Sequence, residues 1–271
     1  MKFGLIGHPI ARSLSPSLFK AAYDGKYQYD LIQGEDFDTS YQTFLDSYDG
    51  INVTAPFKEL AYAKADIISD ECRLAKATNL LVKTPEGVKA YNSDLLGVRL
   101  WLQETLDIAS SDGKADYPTT LVVGCGGAGK AAAAAAATLG MKVVLMNRSP
   151  ERAKKLATDL NEMGYEAEAR PIEDFCGCFR EADAVIYNIP TAIEQISDLT
   201  EADFTPGKAK FILEANYKDP SFDEDFITRM TASNPQARYT GGRTWLLYQA
   251  LTGYEIFTGE KPDLQKMSDV L

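Results

Sequence analysis

Among the side chains of this 271-residue sequence, Lys58 and Asp94 have the types and settings that suit proton transfer. The chain carries one histidine, His8, in Gly-His-Pro after a first apolar run, where a turn residue is expected. Acid–base work therefore falls to Lys, Asp, Glu, Tyr or Cys. Lys58 follows the strand-like run Asn52-Val-Thr54-Ala-Pro56, which proline ends, and stands at a helix start. Asp94 lies in Tyr91-Asn-Ser-Asp-Leu-Leu-Gly97, again ahead of a helix. Loops at strand ends are where open α/β sheets hold ligands. Position alone still reads each residue more readily as a surface charge or a helix N-cap.

A second chemistry is written in residues 121–148, which read as strand, glycine turn, alanine-rich helix and second strand. The turn Gly124-Cys125-Gly126-Gly127-Ala128-Gly129 is a Gly-x-Gly-x-x-Gly dinucleotide fingerprint in its proper context. Gly124 permits the tight turn, Gly126 lets backbone approach a pyrophosphate, and Gly129 allows close helix–sheet packing, while the helix N-terminus favours the anion. The second strand ends at Asn147-Arg148, where an NAD-binding chain usually places an acid for the ribose 2′-hydroxyl. Asn147, Arg148, Ser149 and Arg152 instead offer donors and two cations to a 2′-phosphate, so NADP is expected over NAD.

Composition narrows the remaining classes. A formal net charge of −11 and no dense Lys/Arg cluster argue against nucleic acid, so an anionic ligand must meet locally placed cations. The four cysteines, Cys72, Cys125, Cys176 and Cys178, are scattered; Cys176-Gly-Cys178 has no second ligand pair nearby, and His8 is remote. Reduced thiols and no metal site are the expectation. The N-terminus enters a strand-like run at once, without a signal-peptide pattern, and no segment approaches a membrane span. A cytoplasmic protein is expected, with a small-molecule substrate and a monomer or homodimer as its assembly.

The elements that must position these residues alternate along the chain. Strands are expected at 2–7, 28–33 and 50–56, and helices at 15–25, with Ser15 as N-cap and Pro16 at N1, then 36–48, 58–69 and 71–75. A hairpin is expected from 79 with its turn at 85–87, then a helix from Leu95 to Leu106 and a polar break over 107–118. Beyond the dinucleotide unit come strands at 184–188 and 209–214, a helix near 222–231, a segment entered at Tyr239 and an apolar helix over 243–257. The length suits two domains, and the alternation makes both of them α/β.

The ordered set Ser13-Leu-Ser15-Pro16, Asn52-Val-Thr54-Ala-Pro56-Phe-Lys58, Asn79, Asn92-Ser-Asp94-Leu-Leu-Gly97, the glycine turn, Asn147-Arg-Ser-Pro-Glu-Arg152 and Gly242 to Gln249 resembles the shikimate dehydrogenase family nearly end to end. The Asn-Val-Thr-x-Pro-x-Lys segment is its most diagnostic part. The resemblance implies NADPH-dependent reduction of 3-dehydroshikimate to shikimate, in aromatic amino acid biosynthesis, by two domains facing each other across a cleft. Residues 1–97 would bind substrate, with 242–271 returning to them, and 98–241 would form a doubly wound Rossmann-type NADP domain. It implies that Ser13 and Ser15 hold the substrate carboxylate, and that Thr54, Asn79, Asp94 and Gln249 bind ring hydroxyls and the ketone. It further implies that Tyr217 is a substrate-side tyrosine, that Lys58 exchanges the proton at the reacting oxygen with Asp94 holding it, and that Gly242 belongs to the cofactor side. The chain departs from the family pattern at Ser93, at Asn188-Ile-Pro-Thr191 and at Trp245, which stands where the family carries methionine. A quinate- or aminoshikimate-type ring, NAD use, or a non-catalytic NADP-binding regulator are the competing readings.

Overall fold

The computed structural model describes residues 1–106 and 118–271, so the polar break expected over 107–118 lies, up to residue 117, outside the described residues. Two compact units account for the chain, Met1–Gly97 together with Leu246–Leu271, and Val98–Trp245.

The first unit runs β1 (Lys2–Gly7), α1 (Ser15–Ala22), β2 (Gln28–Gln33), α2 (Phe37–Ser47), β3 (Gly50–Val53), α3 (Lys58–Lys64), β4 (Ile67–Ile68), α4 (Asp70–Ala75), β5 (Leu80–Thr84), β6 (Gly87–Tyr91) and the start of α5 (Ser93–Leu106). Its sheet has the order β2-β1-β3-β5-β6-β4. Strands β1, β2 and β3 are parallel, whereas β5 and β6 form the expected antiparallel hairpin. Central strands β1 and β3 are nearly all buried, as continuous apolar runs covered on both faces should be.

Two expected boundaries move for physical reasons. The helix read over 58–69 stops at Lys64, and Ile67–Ile68 pair with β6 instead. A β-branched pair beside an open sheet edge gains ladder bonds that a last helical turn does not offer. In α1 the chain turns out after Ala22, with Asp24 and Gly25 at φ 51° and 73°. Ser15 is also not the N-cap. Leu14 occupies that position without a side-chain cap, and the Ser13 hydroxyl accepts the Ser15 N–H at 3.2 Å.

The second unit continues from α5 through β7 (Thr119–Val123), α6 (Gly127–Thr138), β8 (Lys142–Met146), α7 (Pro150–Glu162), β9 (Ala167–Ala169), α8 (Phe175–Glu181), β10 (Ala184–Tyr187), β11 (Lys210–Glu214), α9 (Glu224–Ser233) and β12 (Ala237–Thr240). Its sheet is wholly parallel, in the order β12-β11-β10-β7-β8-β9. This is the doubly wound Rossmann arrangement, with the strand order reversing between β7 and β10. Seven successive alanines of α6, Ala131 to Ala137, are buried, because a helix of small side chains can lie close on the sheet.

Helix α10 (Gly242–Thr258) starts in the second unit and ends in the first, followed by α11 (Leu264–Ser268). Its C-terminal half packs on the first sheet. Phe257 stacks on Phe3 at 4.8 Å between centroids, and Tyr254 meets Phe19 edge-on at 4.8 Å. Each of these buried rings contributes roughly 1.5–3 kcal/mol by leaving water. That apolar patch holds the helix carrying Gln249 against the first unit.

Candidate active site and cofactor cradle

In the first unit the C-terminal end of β3 delivers Thr54, and a bend through Pro56 brings Lys58 to the first residue of α3. Asp94 sits in the first turn of α5, not in the loop before it. Asn92 caps that helix, its Oδ1 accepting the Leu95 N–H at 2.9 Å while its Nδ2 donates to the Ala77 carbonyl at 2.9 Å. The cap fixes the first turn, and the Asp94 carboxylate forms an ion pair with the Lys58 ammonium. The two side chains are 17% exposed for Lys58 and 12% for Asp94, shielded enough to strengthen the pair and open enough to reach a ligand. A lysine held in this way keeps further N–H bonds for an oxygen on which negative charge develops.

Asn79 and Gln249 are brought together by a residue outside the expected set, Ser93. Its backbone N–H donates to Asn79 Oδ1 at 2.8 Å, and its hydroxyl accepts from Asn79 Nδ2 at 3.0 Å and donates to Gln249 Oε1 at 3.2 Å. The Gln249 amide also donates to the Leu246 carbonyl at 3.1 Å. Close helix crossing makes this possible. A Cβ on Gly97 would lie 2.7 Å from the Gln249 backbone nitrogen, and one on Gly253 3.0 Å from the Ser93 hydroxyl. Behind Asn79, Asn52 Nδ2 donates to its carbonyl at 3.3 Å, and the Tyr29 hydroxyl donates to Asn52 Oδ1 at 2.7 Å. Ser93 and Asn52 lie inside the motif runs, which are their only signal in the sequence; Tyr29 has none.

Ser13 and Ser15 form a hydroxyl pair at 3.1 Å beside the first turn of α1, and the Tyr254 hydroxyl donates to the Ser15 carbonyl at 3.2 Å. Burial raises the Tyr29 and Tyr254 phenols well above their ordinary range, with the Ser15 hydroxyl offsetting part of the effect. Both stay neutral donors. Thr54 is anchored by its backbone, whose N–H donates to the Ile6 carbonyl at 3.0 Å, so its side-chain hydroxyl is not needed to hold it in place. Tyr217 belongs to the second unit, in the loop after β11, whereas the other residues named belong to the first. Burial raises its phenol, with Arg243 offsetting part. That loop is tied by Glu214, a fully buried acid whose Oε1 accepts the Ser221 N–H at 2.5 Å and whose Oε2 accepts the Tyr239 hydroxyl at 2.8 Å.

The second unit holds a cradle at the strand reversal. Gly124 has φ 96°, and a Cβ on Gly129 would lie 1.8 Å from the Gly124 carbonyl, so only glycines allow this turn to meet the helix. Above Gly126 a Cβ would meet nothing within 4 Å. The first helical bond of α6 is Lys130 N–H to the Gly126 carbonyl, and Gly126 supplies no side-chain cap. The amides of Gly127, Ala128 and Gly129 therefore face outward into the space a pyrophosphate needs. Asn147 Oδ1 accepts the Cys125 N–H at 3.0 Å and its Nδ2 donates to the Ser149 carbonyl at 3.0 Å, tying the glycine turn to the loop after β8. Arg148 immediately precedes Ser149, the N-cap of α7, and Arg152 lies in the first turn of that helix. The donors and cations fit a dinucleotide with a 2′-phosphate. Cys125 is no nucleophile here, since burial pushes its thiol up to about 12. Gly242 seats α10 on the end of β11, where a Cβ would lie 2.2 Å from the Ala215 carbonyl.

Comparison with known proteins follows the same division. Residues 5–81 match the family described as the shikimate dehydrogenase substrate binding domain, and residues 108–207 match shikimate / quinate 5-dehydrogenase. Shikimate dehydrogenase (NADP(+)) of Xanthomonas euvesicatoria pv. vesicatoria is 31% identical over 97% of this chain and 92% of its own length. That of Methanothermobacter thermautotrophicus is 28% identical over 99% and 94%. Among solved structures, shikimate 5-dehydrogenase from Thermus thermophilus, in complex with NADP(H) and shikimate, superposes with a TM-score of 0.80 at 26% identity, covering 100% of this chain and 98% of that one. Quinate dehydrogenase from Corynebacterium glutamicum, in complex with NAD, shares the fold with a TM-score of 0.82 at 23% identity, again covering 100% and 98%.

Proposed function

The chain belongs to the shikimate dehydrogenase family, and we propose that it catalyses the reversible NADPH-dependent reduction of 3-dehydroshikimate to shikimate, a step of aromatic amino acid biosynthesis. The observation that carries the reading is the Lys58–Asp94 ion pair beside the Asn79–Ser93–Gln249 network, in a chain whose other unit holds the 2′-phosphate-ready cradle. NADPH supplies the hydride when bound.

The chain's own residues supply the rest. The Lys58 ammonium faces the ketone oxygen, stabilises the charge developing there and gives it a proton; in the reverse direction its amine takes that proton back. Asp94 holds the lysine and accepts the neighbouring ring hydroxyl. Asn79, Gln249 and Thr54 bind the other ring oxygens, the Ser13 and Ser15 hydroxyls take the carboxylate, and Tyr217 completes the substrate side. The glycine turn and α6 N-terminus hold the pyrophosphate, while Arg148, Ser149 and Arg152 meet the 2′-phosphate. A cytoplasmic setting belongs to the same reading and is supported by four unpaired cysteines.

The test is the initial rate of NADP reduction with shikimate, beside quinate and beside NAD, in wild type and Lys58→Ala. Shikimate-dependent NADPH formation should fall by about 10²–10⁴ in the variant, with NADP affinity kept. Faster turnover of quinate or NAD would replace the substrate or cofactor assignment. Binding of NADP without any turnover would establish the regulatory reading instead.

A further inference from the structure

Glu214 is the last residue of β11 and is fully buried, where a carboxylate stands only if donors surround it. Its Oε1 accepts the Ser221 N–H at 2.5 Å, and its Oε2 accepts the Tyr239 hydroxyl at 2.8 Å and the Phe222 N–H at 3.4 Å. All three donors are uncharged. Burial, reinforced by the acid itself, raises the Tyr239 phenol well above its ordinary range, so that phenol stays a donor. What the buried acid achieves is geometric: one side chain joins the end of β11 to the residues that leave the following loop and to strand β12.

The loop closed in this way, residues 215–221, is held along its length. The Ala215 N–H donates to the Tyr187 carbonyl at 2.9 Å. Asn216 folds the interior, its Nδ2 donating to the Pro190 and Asp219 carbonyls at 3.1 and 2.5 Å and its Oδ1 accepting the Lys218 and Asp219 N–H groups at 3.1 and 3.3 Å. At the exit Phe222 packs edge-on against Tyr187, 5.4 Å between centroids. None of these bonds uses the Tyr217 side chain. Tyr217 therefore sits between held points with its hydroxyl left out of the loop's own structure, and a side chain on a pre-ordered loop meets a ligand without the ordering cost of a free one.

We propose that Glu214 is a positioning residue for Tyr217: by closing the loop 215–221 it holds the Tyr217 hydroxyl ready for the substrate. The inference rests on the reading of Tyr217 as a substrate-side residue and adds to it the group that sets its place. Being fully buried, Glu214 acts through the loop.

Steady-state kinetics of the full chain with shikimate varied, beside tryptic cleavage after the exposed Lys218 followed by mass spectrometry, separate the outcomes. Tyr217→Phe should raise the shikimate KM by about three- to tenfold, the scale of one hydrogen bond. Glu214→Met, similar in length but without an acceptor, should speed the cleavage and raise KM over the same range, with kcat within about threefold. The double variant should add no more than about twofold to either, because both changes remove one contact. Glu214→Gln should stay within about twofold of wild type, since its carbonyl still accepts the Ser221 N–H and the Tyr239 hydroxyl can turn to accept from its amide. Asn216→Ala opens the same loop without touching the buried acid and should move cleavage and KM in the same direction. Effects that multiply in the double variant, a Gln variant as impaired as Met, or an unchanged KM in Asn216→Ala despite faster cleavage would overturn the proposal. An unchanged KM in Tyr217→Phe would instead overturn the substrate-side reading beneath it.

Discussion

Ser93→Ala removes one hydroxyl and with it the link between Asn79 and Gln249. In the folded chain Ser93 is fully buried and Asn79 is 4% exposed, so the freed Asn79 amide has no route to water. Gln249 is partly exposed, and water can replace its lost partner. One buried unsatisfied donor costs about 1–3 kcal/mol. For a protein of this size that lowers the unfolding midpoint by roughly 2–10 °C. The functional consequence is separate. Each amide loses one of the contacts that orient it, Asn79 keeping the residue-93 backbone N–H and Gln249 the Leu246 carbonyl, and re-ordering each on binding costs roughly 0.5–1.5 kcal/mol, together about 1–3 kcal/mol, or about a five- to 150-fold rise in KM for shikimate. The Lys58–Asp94 pair is untouched, so kcat should stay within about threefold and KM for NADP should not move. Steady-state kinetics with each substrate varied in turn, beside a thermal melt, reads all four quantities. An unchanged shikimate KM, or a kcat collapse at constant KM, would refute the idea that Ser93 acts by positioning the two amides.

Two further outcomes are expected. Arg148→Ala and Arg152→Ala should each raise the NADP Kd by roughly tenfold, the scale of one charge-assisted hydrogen bond, and leave NAD binding unaltered; equal losses for the two cofactors in equilibrium titration would remove the 2′-phosphate role. Lys210, 1% exposed, donates to the Phe179 carbonyl at 2.5 Å and the Ala182 carbonyl at 2.6 Å at the end of α8, yet burial lowers its pKa from 10.5 to about 8, with Lys208 adding to the shift. Between those values the folded chain has released the proton and the unfolded chain still binds it. Stability from this group therefore rises with pH from about 8 to 10.5, by up to about 3 kcal/mol. Denaturant melts across that window should show wild type gaining on Lys210→Met, and parallel curves would contradict the sign.

How much of the fold is legible in the sequence varies by element. The β7–α6–β8 cradle is readable because its requirements are local: a turn with φ 96° at Gly124 and a helix that would leave a Gly129 Cβ only 1.8 Å from the Gly124 carbonyl admit glycine alone. The β5–β6 hairpin is likewise announced by its turn. Strand β4 is not, since Ile67–Ile68 extend only because β6 offers them an edge. Ser15 has the chemistry of an N-cap and yet opens the helix itself, its N–H taken by the Ser13 hydroxyl and its carbonyl by the distant Tyr254 hydroxyl, a contact that local pattern does not announce.

The candidate site divides along the same line. Lys58, Asp94, Asn79 and Gln249 are marked by type and by resemblance, while Ser93 reads as a tolerated neighbour of Asp94. Sequence by itself determined the α/β alternation, the glycine turn and the cations after β8, because backbone conformation and charge act over a few residues. Tertiary structure alone decided that residues 156 positions apart, Ser93 and Gln249, share a hydrogen bond. It also decided that Glu214 is buried to tie a loop and that Trp245 is enclosed with its N–H unmet. Hydrogen-bond partners and desolvation depend on what folding brings within about 3 Å, and no local pattern encodes that distance.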